Sequence, residues 1–479
     1  MNNFKIQLKG NAKVPVLRSV RLKPLLLSPV IRMRIVWLVG LLLLFAVPGA
    51  FGYQTGGSDE EIFELPMDKV SIGDLVRFAY ENNPSIVEAR ESWNATIERF
   101  RLEKGYPDPK LTVTYFPEPI ETRLGPQDWN ATISQSIPFP GKLTKTGEVA
   151  KYDAEIAKLK LDQAVRDVIV DIRESVFELM YIRKAKEIAR HNGNLLEHLR
   201  KIAETQYAQD KAAMFDVVKA QSQVGQLRYE VLLLDDLEVT EITKLNSILN
   251  RSPEIPIGEI TIEEFMPVVF SLDELYRLAE DNQEEIKIAS VKIDKARINT
   301  DLATKKNLPD FSIGLFYAGI GDPDVPNPPD DAGRDAIGIS AGMTIPLWFG
   351  KNNSRKSISK AEERKARASR DSRINRTRTG IRSLYFRLQN SDRIITLYQD
   401  ELVPQAARAM ELSETFYKAG ETSFGDFIET QSVWYNFQLT LARAQADYMK
   451  YVARLERLVG RDITRFEDEP ETSEAGGKK

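Results

Sequence analysis

The sequence predicts a mainly α-helical chain with a small β part, built from two copies of one helix–hairpin–long helix–helix unit. The segment at 204–222 is echoed without a gap at 414–432. The residues that the two segments share are Glu204/Glu414, Thr205/Thr415, Tyr207/Tyr417, Asp216/Asp426, Gln221/Gln431 and Ser222/Ser432. Long helix-forming stretches contain almost no Gly or Pro, and short stretches before them alternate apolar and polar residues with period two, which is typical of strands.

The first 52 residues are predicted to be a secretory signal peptide. They hold eight basic residues and no acidic one, then an apolar run at 35–47 and the small residues Ala50 and Gly52 near the expected cleavage site. The run is too short to favour a membrane-spanning helix. An uncleaved anchor is the alternative, and Met33 is an alternative start. Residues 53–70 form a polar lead.

Composition excludes several classes of function. Without its leading segment the chain keeps 58 basic against 70 acidic residues, about −12 net, which makes it a poor general binder of nucleic acid. It has no cysteine, which excludes disulfides and thiolate metal sites, and its two histidines make imidazole-based zinc chemistry improbable. No nucleophile, base or phosphate loop has suitable neighbours, so neither an enzyme nor a cofactor is predicted.

The first repeat is predicted at 71–251. Ser71 caps a first helix and Pro84 interrupts or restarts it. Strands follow at about 110–116 and 129–137, each with one apolar and one small polar face. A helix over 142–207, on the order of 100 Å long, needs a lateral partner, which the return helix from 212 to about 250 supplies through a coiled-coil spacing of apolar residues.

The second repeat is predicted at 271–461, after a Pro-rich linker at 252–270. Its strands are expected at about 311–318 and 336–345. Its long helix is expected at about 351–417, bent at Pro404, and a return helix follows. The polar tail at 462–479 completes the chain.

Each repeat thus holds one short hairpin with an apolar face and very long helices. A lone hairpin is unstable, and lipid does not tolerate open sheet edges. Four strands cannot close a barrel around an aqueous lumen. We therefore expect several identical copies to pool their strands in a ring, which would also wrap the long helices into a tube.

With these features the sequence resembles the TolC-type outer-membrane efflux channels over nearly all of 71–461. The most specific motifs are the helical turn FYKAGETSFGDFIETQ, the Ile-Pro-x-x-(x)-Gly-Lys strand exits, and Leu402-Val403-Pro404-Gln405-Ala406. The resemblance implies a homotrimer whose twelve strands form one outer-membrane β-barrel, continued by a periplasmic α-helical barrel. It implies three further partners: outer-membrane lipid, a periplasmic adaptor (membrane fusion) protein, and an inner-membrane pump of RND or ABC type.

The resemblance also implies site residues at the helix turns. The adaptor-docking tips correspond to Gln209, Asp210, Lys211, Ala419, Gly420, Glu421 and Thr422. The periplasmic gate corresponds to Asp426, Glu429, Asp216 and Tyr417. Asp210 departs from the family pattern, which has glycine there, and Thr422 stands where the family has a basic residue. The simpler interpretation of Asp216 and Asp426 is that they cap the restarted helices.

The expected function is a passive exit duct for drugs, metal ions or other small molecules. Alternatives are a type I protein secretion channel and a non-transport periplasmic coiled-coil scaffold. Three other patterns are better explained as surface features. The arginine-rich stretch 355–393 is interpreted as a solvated helix face, the aspartates at 322–335 as an exposed loop rather than a calcium site, and His191 with His198 as a surface pair.

Overall fold

The two halves of the chain have the same order of elements in the computed structural model, which describes residues 65–66, 68–210, 212–261, 268 and 270–464. The first half comprises β1 (Lys69–Ser71), α1 (Ile72–Asn82), α2 (Pro84–Glu103), β2 (Lys110–Thr122), β3 (Gly125–Ile137), α3 (Lys142–Ala208) and α4 (Met214–Ile248). The second comprises β4 (Glu259–Thr261), α5 (Leu272–Asn282), α6 (Glu284–Lys305), β5 (Phe311–Ile320), β6 (Ala336–Met343), α7 (Phe349–Leu397), a π-helical turn (Tyr398–Leu402), α8 (Val403–Ala419) and α9 (Phe424–Val459). The predicted signal peptide, most of the lead and most of the tail lie outside the described residues.

Helix starts repeat between the halves because the same capping residues recur. The Ser71 hydroxyl accepts the Asp74 N–H at 3.1 Å, while the Asp74 carboxylate accepts the Ser71 N–H at 3.0 Å. Ser271 and Glu274 make the same reciprocal cap on α5. Pro84 is the first residue of α2, where its missing N–H costs nothing. The predicted cap at Ser71 is thus confirmed.

The long helices pack side by side in a row. Toward the turns the order is α4, α3, α9, α8, and toward the strands it is α2, α3, α6, α7. Apolar clusters between neighbouring helices hold the row together. Each end of the row therefore has two edge helices with a neighbour on one side only within the chain.

The strands β2, β3, β5 and β6 form one antiparallel sheet in that order. One cross-strand row is wholly apolar and comprises Leu111, Ile133, Leu315 and Ile339. The adjacent row on the other face is mostly polar, with small residues at three of its four positions, and comprises Lys110, Ser134, Gly314 and Ser340. Edge strands β2 and β6 each have one unpaired side within the chain.

Strand bounds differ from those predicted. β2 extends to Thr122 rather than 116, since Pro117 and Pro119 lie on an edge strand, where missing N–H groups are tolerated, and the register shifts between Tyr115 and Ile120. β3 begins at Gly125 instead of 129, and β5 runs on to Ile320.

β6 ends at Met343 instead of 345. The next residue, Thr344, donates its N–H to the Asp310 carbonyl, and Pro346 follows two residues later. The first three strands are thus longer than the sequence pattern suggested, and the last is shorter.

The second long helix is interrupted before Pro404. Pro404 has no N–H and crowds the preceding turn. The backbone therefore forms a π-helical turn, in which the Val403 N–H donates to the Tyr398 carbonyl five residues back. The sequence predicts a bend at this proline, and the structure has a widened turn at Tyr398–Leu402.

None of the helices in the described ranges combines the length and the apolar character that crossing a membrane requires.

Candidate functional site

The two helix turns share one backbone conformation. Asp210 has φ +54° and Gly420 has φ +80°, both left-handed. Aspartate is among the few residues with a side chain that visit this region routinely. The residue that departs from the family pattern therefore preserves the turn.

The predicted docking residues lie at these turns and are mostly exposed. Gln209, Asp210, Ala419, Gly420 and Glu421 are exposed. Thr422 is half-buried, and Lys211 lies outside the described residues. The turns thus present mainly polar side chains and backbone to solvent.

An aromatic cluster packs beneath the second turn. Tyr417 is 3 % exposed, and its ring centroid lies 5.4 Å from that of Phe424 and 6.0 Å from that of Phe427. The same cluster includes Leu199 of α3 and Ala220 of α4. The structure therefore brings the helices of both turns together around one apolar core.

Asp426 belongs to the start of α9. Ser423 is the N-cap, and its hydroxyl accepts the Asp426 N–H at 3.1 Å and donates to the Asp426 carboxylate at 2.7 Å. The Thr422 hydroxyl also donates to this carboxylate, at 3.3 Å. The hydrogen bond from Ser423 lowers the pKa of Asp426. Asp426 therefore supports the cap without being the N-cap residue itself.

Asp216 has a different environment. It lies in the first turn of α4, whose N-cap, Ala213, makes no side-chain cap. Burial raises the pKa of Tyr417 to about 12, and the negative charge of Asp216 contributes. The Tyr417 hydroxyl has no hydrogen-bond partner within the described part of the chain. The structure brings these two predicted gate residues close, and the capping interpretation does not apply to Asp216.

A basic residue that the sequence analysis missed lies beside the second turn. The Lys219 Nζ would lie 3.4 Å from a Cβ atom placed on Gly425, and its charge contributes to the lowered pKa of Asp426. Lys219 follows Asp216 by three residues on α4, but nothing in the sequence places α4 against the start of α9. Glu429 is exposed on the same helix as Asp426.

A second site joins the two repeats at the base of the sheet. The Lys142 Nζ donates to the Asp310 carboxylate at 2.8 Å and to the Leu308 carbonyl at 2.7 Å. The Phe139 N–H donates to the same carboxylate oxygen at 2.7 Å. The strand exit of the first repeat is thus fastened to the start of the second hairpin.

Ion pairs line the contact between α3 and α9. Arg443 binds Glu178 through both Nη atoms at 2.8 and 3.0 Å, and Lys450 pairs with the same carboxylate. Burial alone would raise the pKa of Glu178, but these hydrogen bonds outweigh it and lower the pKa. The charges therefore hold the two repeats in register.

The other chemistry-bearing patterns join structural contacts. Arg370, Arg373 and Arg378 of the arginine-rich stretch bind Ser290, Glu285 and Glu280. The His191 ring packs edge-on to Trp434 at 6.1 Å. Within the described ranges no group of three or more His, Cys, Asp or Glu residues could hold a metal ion.

Comparison with known proteins gives a consistent result. The sequence model of a family described as outer membrane efflux protein matches residues 275–461. The chain is 24 % identical over 331 residues to the pyoverdine export outer membrane protein OpmQ of Pseudomonas aeruginosa. That alignment covers 64 % of this chain and 66 % of OpmQ, a little under two thirds of the relative.

Solved structures share the fold. Vibrio cholerae VceC has a TM-score of 0.68 at 16 % identity, covering 82 % of this chain and 96 % of VceC. Campylobacter jejuni CmeC has a TM-score of 0.67 at 13 % identity, and the match covers 82 % of this chain and 87 % of CmeC. The open-state Neisseria gonorrhoeae MtrE channel has a TM-score of 0.66 at 14 % identity, covering 82 % and 90 %.

Proposed function

Because this chain belongs to the outer-membrane efflux protein family, we propose that it is the passive exit duct of a tripartite efflux system. Its location is the outer membrane, with a long helical extension in the periplasm. In this proposal an inner-membrane pump of RND or ABC type delivers small-molecule cargo through a periplasmic adaptor protein. The chain contributes the conduit and needs no chemistry of its own.

The observation that carries the proposal is the unfinished sheet. Its apolar row, Leu111 to Ile339, faces solvent on one side, while β2 and β6 leave unpaired edges within the chain. Exposed apolar rows suit lipid, but open edges do not. Three copies joined edge to edge would supply twelve strands and close a barrel whose other face is mostly polar.

The helix row supports the same closure. Its edge helix α4 exposes Phe215, Tyr229 and Leu232, and the helices at the opposite edge expose Phe386 on α7 and Leu412 on α8. A soluble monomer rarely shows so extended a set of exposed apolar side chains along a helix. Contact between copies would cover both edges and wrap the helices into a periplasmic tube.

In this assembly the helix turns form the periplasmic mouth. We assign the exposed residues Gln209, Asp210, Ala419, Gly420 and Glu421, with Lys211 and Thr422, to adaptor docking. Asp426 and Glu429 form a carboxylate ring around the aperture, and Asp216 and Tyr417 hold the turns together behind it. Opening requires the tip helices to move apart, a change that adaptor contacts would bias.

The gate assignment predicts a change of ion selectivity. Asp426→Asn with Glu429→Gln removes two carboxylates per copy at a constriction, so cation preference and block by cations should fall. Reversal potentials in planar bilayers measure the preference. Unchanged selectivity would show that these carboxylates do not line the aperture.

Reconstitution of the purified chain tests the proposal as a whole. Detergent-extracted protein should insert into planar bilayers and conduct ions. A chain that stays in solution without detergent and gives no conductance would instead support the periplasmic scaffold. Transport by the complete system would decide the cargo: export of a small molecule supports efflux, whereas release of a polypeptide supports type I protein secretion.

A further inference from the structure

A basic groove lies between α6 and α7, on the strand side of the long helices. Its volume is about 660 Å³. The charged side chains that line it are Lys292, Lys295, Lys306, Arg355, Glu362 and Lys365. Five cations thus face one carboxylate.

Part of this charge is neutralised within the chain, and part is not. Lys295 pairs with Asp153, and Lys365 pairs with Glu362 at 3.1 Å. Lys292 and Lys306 form no ion pair with any residue that the structure describes. The groove therefore carries uncompensated positive charge.

Helix periodicity shows which side of the helix row the groove occupies. Two groove residues of α7, Ile358 and Ser369, lie nine residues from Phe349 and Arg378, respectively. Nine residues are about two and a half turns, so each pair points in opposite directions. Phe349 and Arg378 therefore mark the face opposite the groove.

In the proposed duct, two observations assign that opposite face to the outside. Arg378 binds Glu280 of the short helix α5, so α5 covers this side of the row. Phe349, which is 74 % exposed, follows the membrane strands directly, where aromatic side chains contact the lipid interface. In a duct built as proposed above, the groove then faces the lumen.

We propose that this groove makes the upper lumen an anion-selective segment, and that the natural cargo is a small molecule carrying at least two negative charges. The inference rests on the proposed duct. Uncompensated lysines around a narrow aqueous passage would raise the local concentration of carboxylate-, phosphate- or sulfonate-bearing solutes. Each further copy in the ring adds the same charges.

Bilayer recordings of a matched pair of variants test this inference. Both are made in the Asp426→Asn/Glu429→Gln background, so that the gate carboxylates do not mask the upper segment. The groove variant is Lys292→Gln with Lys306→Gln. The control, Lys356→Gln with Lys360→Gln, removes the same charge from residues nine positions before Lys365 and Ser369, on the outer face of α7.

The expected result is at least a threefold fall in the chloride-to-potassium permeability ratio for the groove variant, in bilayers of pure phosphatidylcholine. Tripolyphosphate added to the bath should also block the parent at several-fold lower concentration than it blocks the groove variant. The control should match the parent in both measurements.

Three other outcomes would overturn the inference. Equal selectivity of groove and control variants would reject the anionic lumen while leaving the duct intact. A difference that arises only after phosphatidylglycerol is added would make the groove a lipid headgroup site. Absence of conductance in every variant, the parent included, would reject the duct and this inference with it.

Discussion

The bond between Lys142 and Asp310 allows a sharp test of how the two repeats are joined. Lys142→Met keeps the apolar stem and removes the ammonium group. The Asp310 carboxylate then still accepts the hydrogen bond from the Phe139 N–H but loses its ion-pair partner at 2.8 Å. Lys351 is the matched control, because it holds the corresponding place in the second strand exit, is exposed, and has no ion pair among the described residues.

The expected loss follows from burial. Removing one partner of a fully buried ion pair costs about 3–5 kcal/mol. The side chains here are 11 % and 34 % exposed, so water can solvate part of the stranded carboxylate. We expect Lys142→Met to lower the free energy of unfolding by about 2 kcal/mol, roughly thirtyfold in the equilibrium constant.

Denaturant titration of the detergent-solubilised protein, followed by circular dichroism, measures this difference. Lys351→Met should stay within about 0.5 kcal/mol of the parent, as most exposed substitutions do. Equal losses for the two methionine variants would contradict the argument, since burial and the bond to Asp310 would then make no difference.

Three further predictions concern the turns and the α3–α9 contact. Tyr417→Phe removes a buried hydroxyl that has no partner in the described chain, so stability should hold or rise by about 1 kcal/mol, whereas Tyr417→Ala should cost about 3–5 kcal/mol. Asp210→Gly should stabilise the first turn by about 0.5–1 kcal/mol, because glycine adopts φ +54° without strain. Because the pKa of Glu178 is lowered in the folded protein, its ion pairs stabilise the fold fully above the unfolded pKa of about 4.3. This contribution to the free energy of unfolding is lost as pH falls through the lower folded pKa.

The same denaturant titration checks all three predictions, repeated between pH 3 and pH 7 for the last. A large loss in Tyr417→Phe would mean that the hydroxyl makes a bond the packing does not reveal. Destabilisation by Asp210→Gly would mean that the aspartate side chain itself holds the turn. Glu178→Gln should reduce the fall in the free energy of unfolding between pH 7 and pH 3. If that fall were unchanged, the acid dependence would belong to other carboxylates.

Local patterns predicted most of the secondary structure. The cap at Ser71 and the long Gly- and Pro-poor stretch ending near Tyr207 depend on residues close in sequence, so they are visible in one dimension. The extension of β2 to Thr122 was not visible, because prolines are tolerated there only on an edge strand. Edge position is a property of the whole sheet.

The candidate site was predictable only in part, for the same reason. Motif matching proposed Asp426 and Tyr417, which the structure places on either side of the second turn. It missed Lys219 and the partnership of Lys142 with Asp310, because those contacts join segments far apart in the chain. The groove between α6 and α7 depends equally on how the helices pack, which no local pattern specifies.

The duplicated sheet predicts how one copy should meet the next. In the first hairpin Leu111 lies opposite Ile133, and the corresponding pair in the second hairpin is Ile313 opposite Ala341. Between the hairpins Ile133 lies opposite Leu315. If β6 of one copy meets β2 of the next in the same register as β3 meets β5, Ala341 of one copy lies opposite Val113 of the next.

Disulfide cross-linking at this register tests the central claim that copies pool their strands, and the chain has no cysteine to interfere. Val113→Cys with Ala341→Cys, oxidised in outer membranes, should give linked dimers and a closed trimer on non-reducing gels. The shifted pair Val113→Cys with Ile337→Cys should link poorly. The oxidant is checked on a membrane protein whose engineered cysteine pair is known to form a disulfide. If the matched pair gave only monomer under those conditions, the result would contradict the pooled barrel.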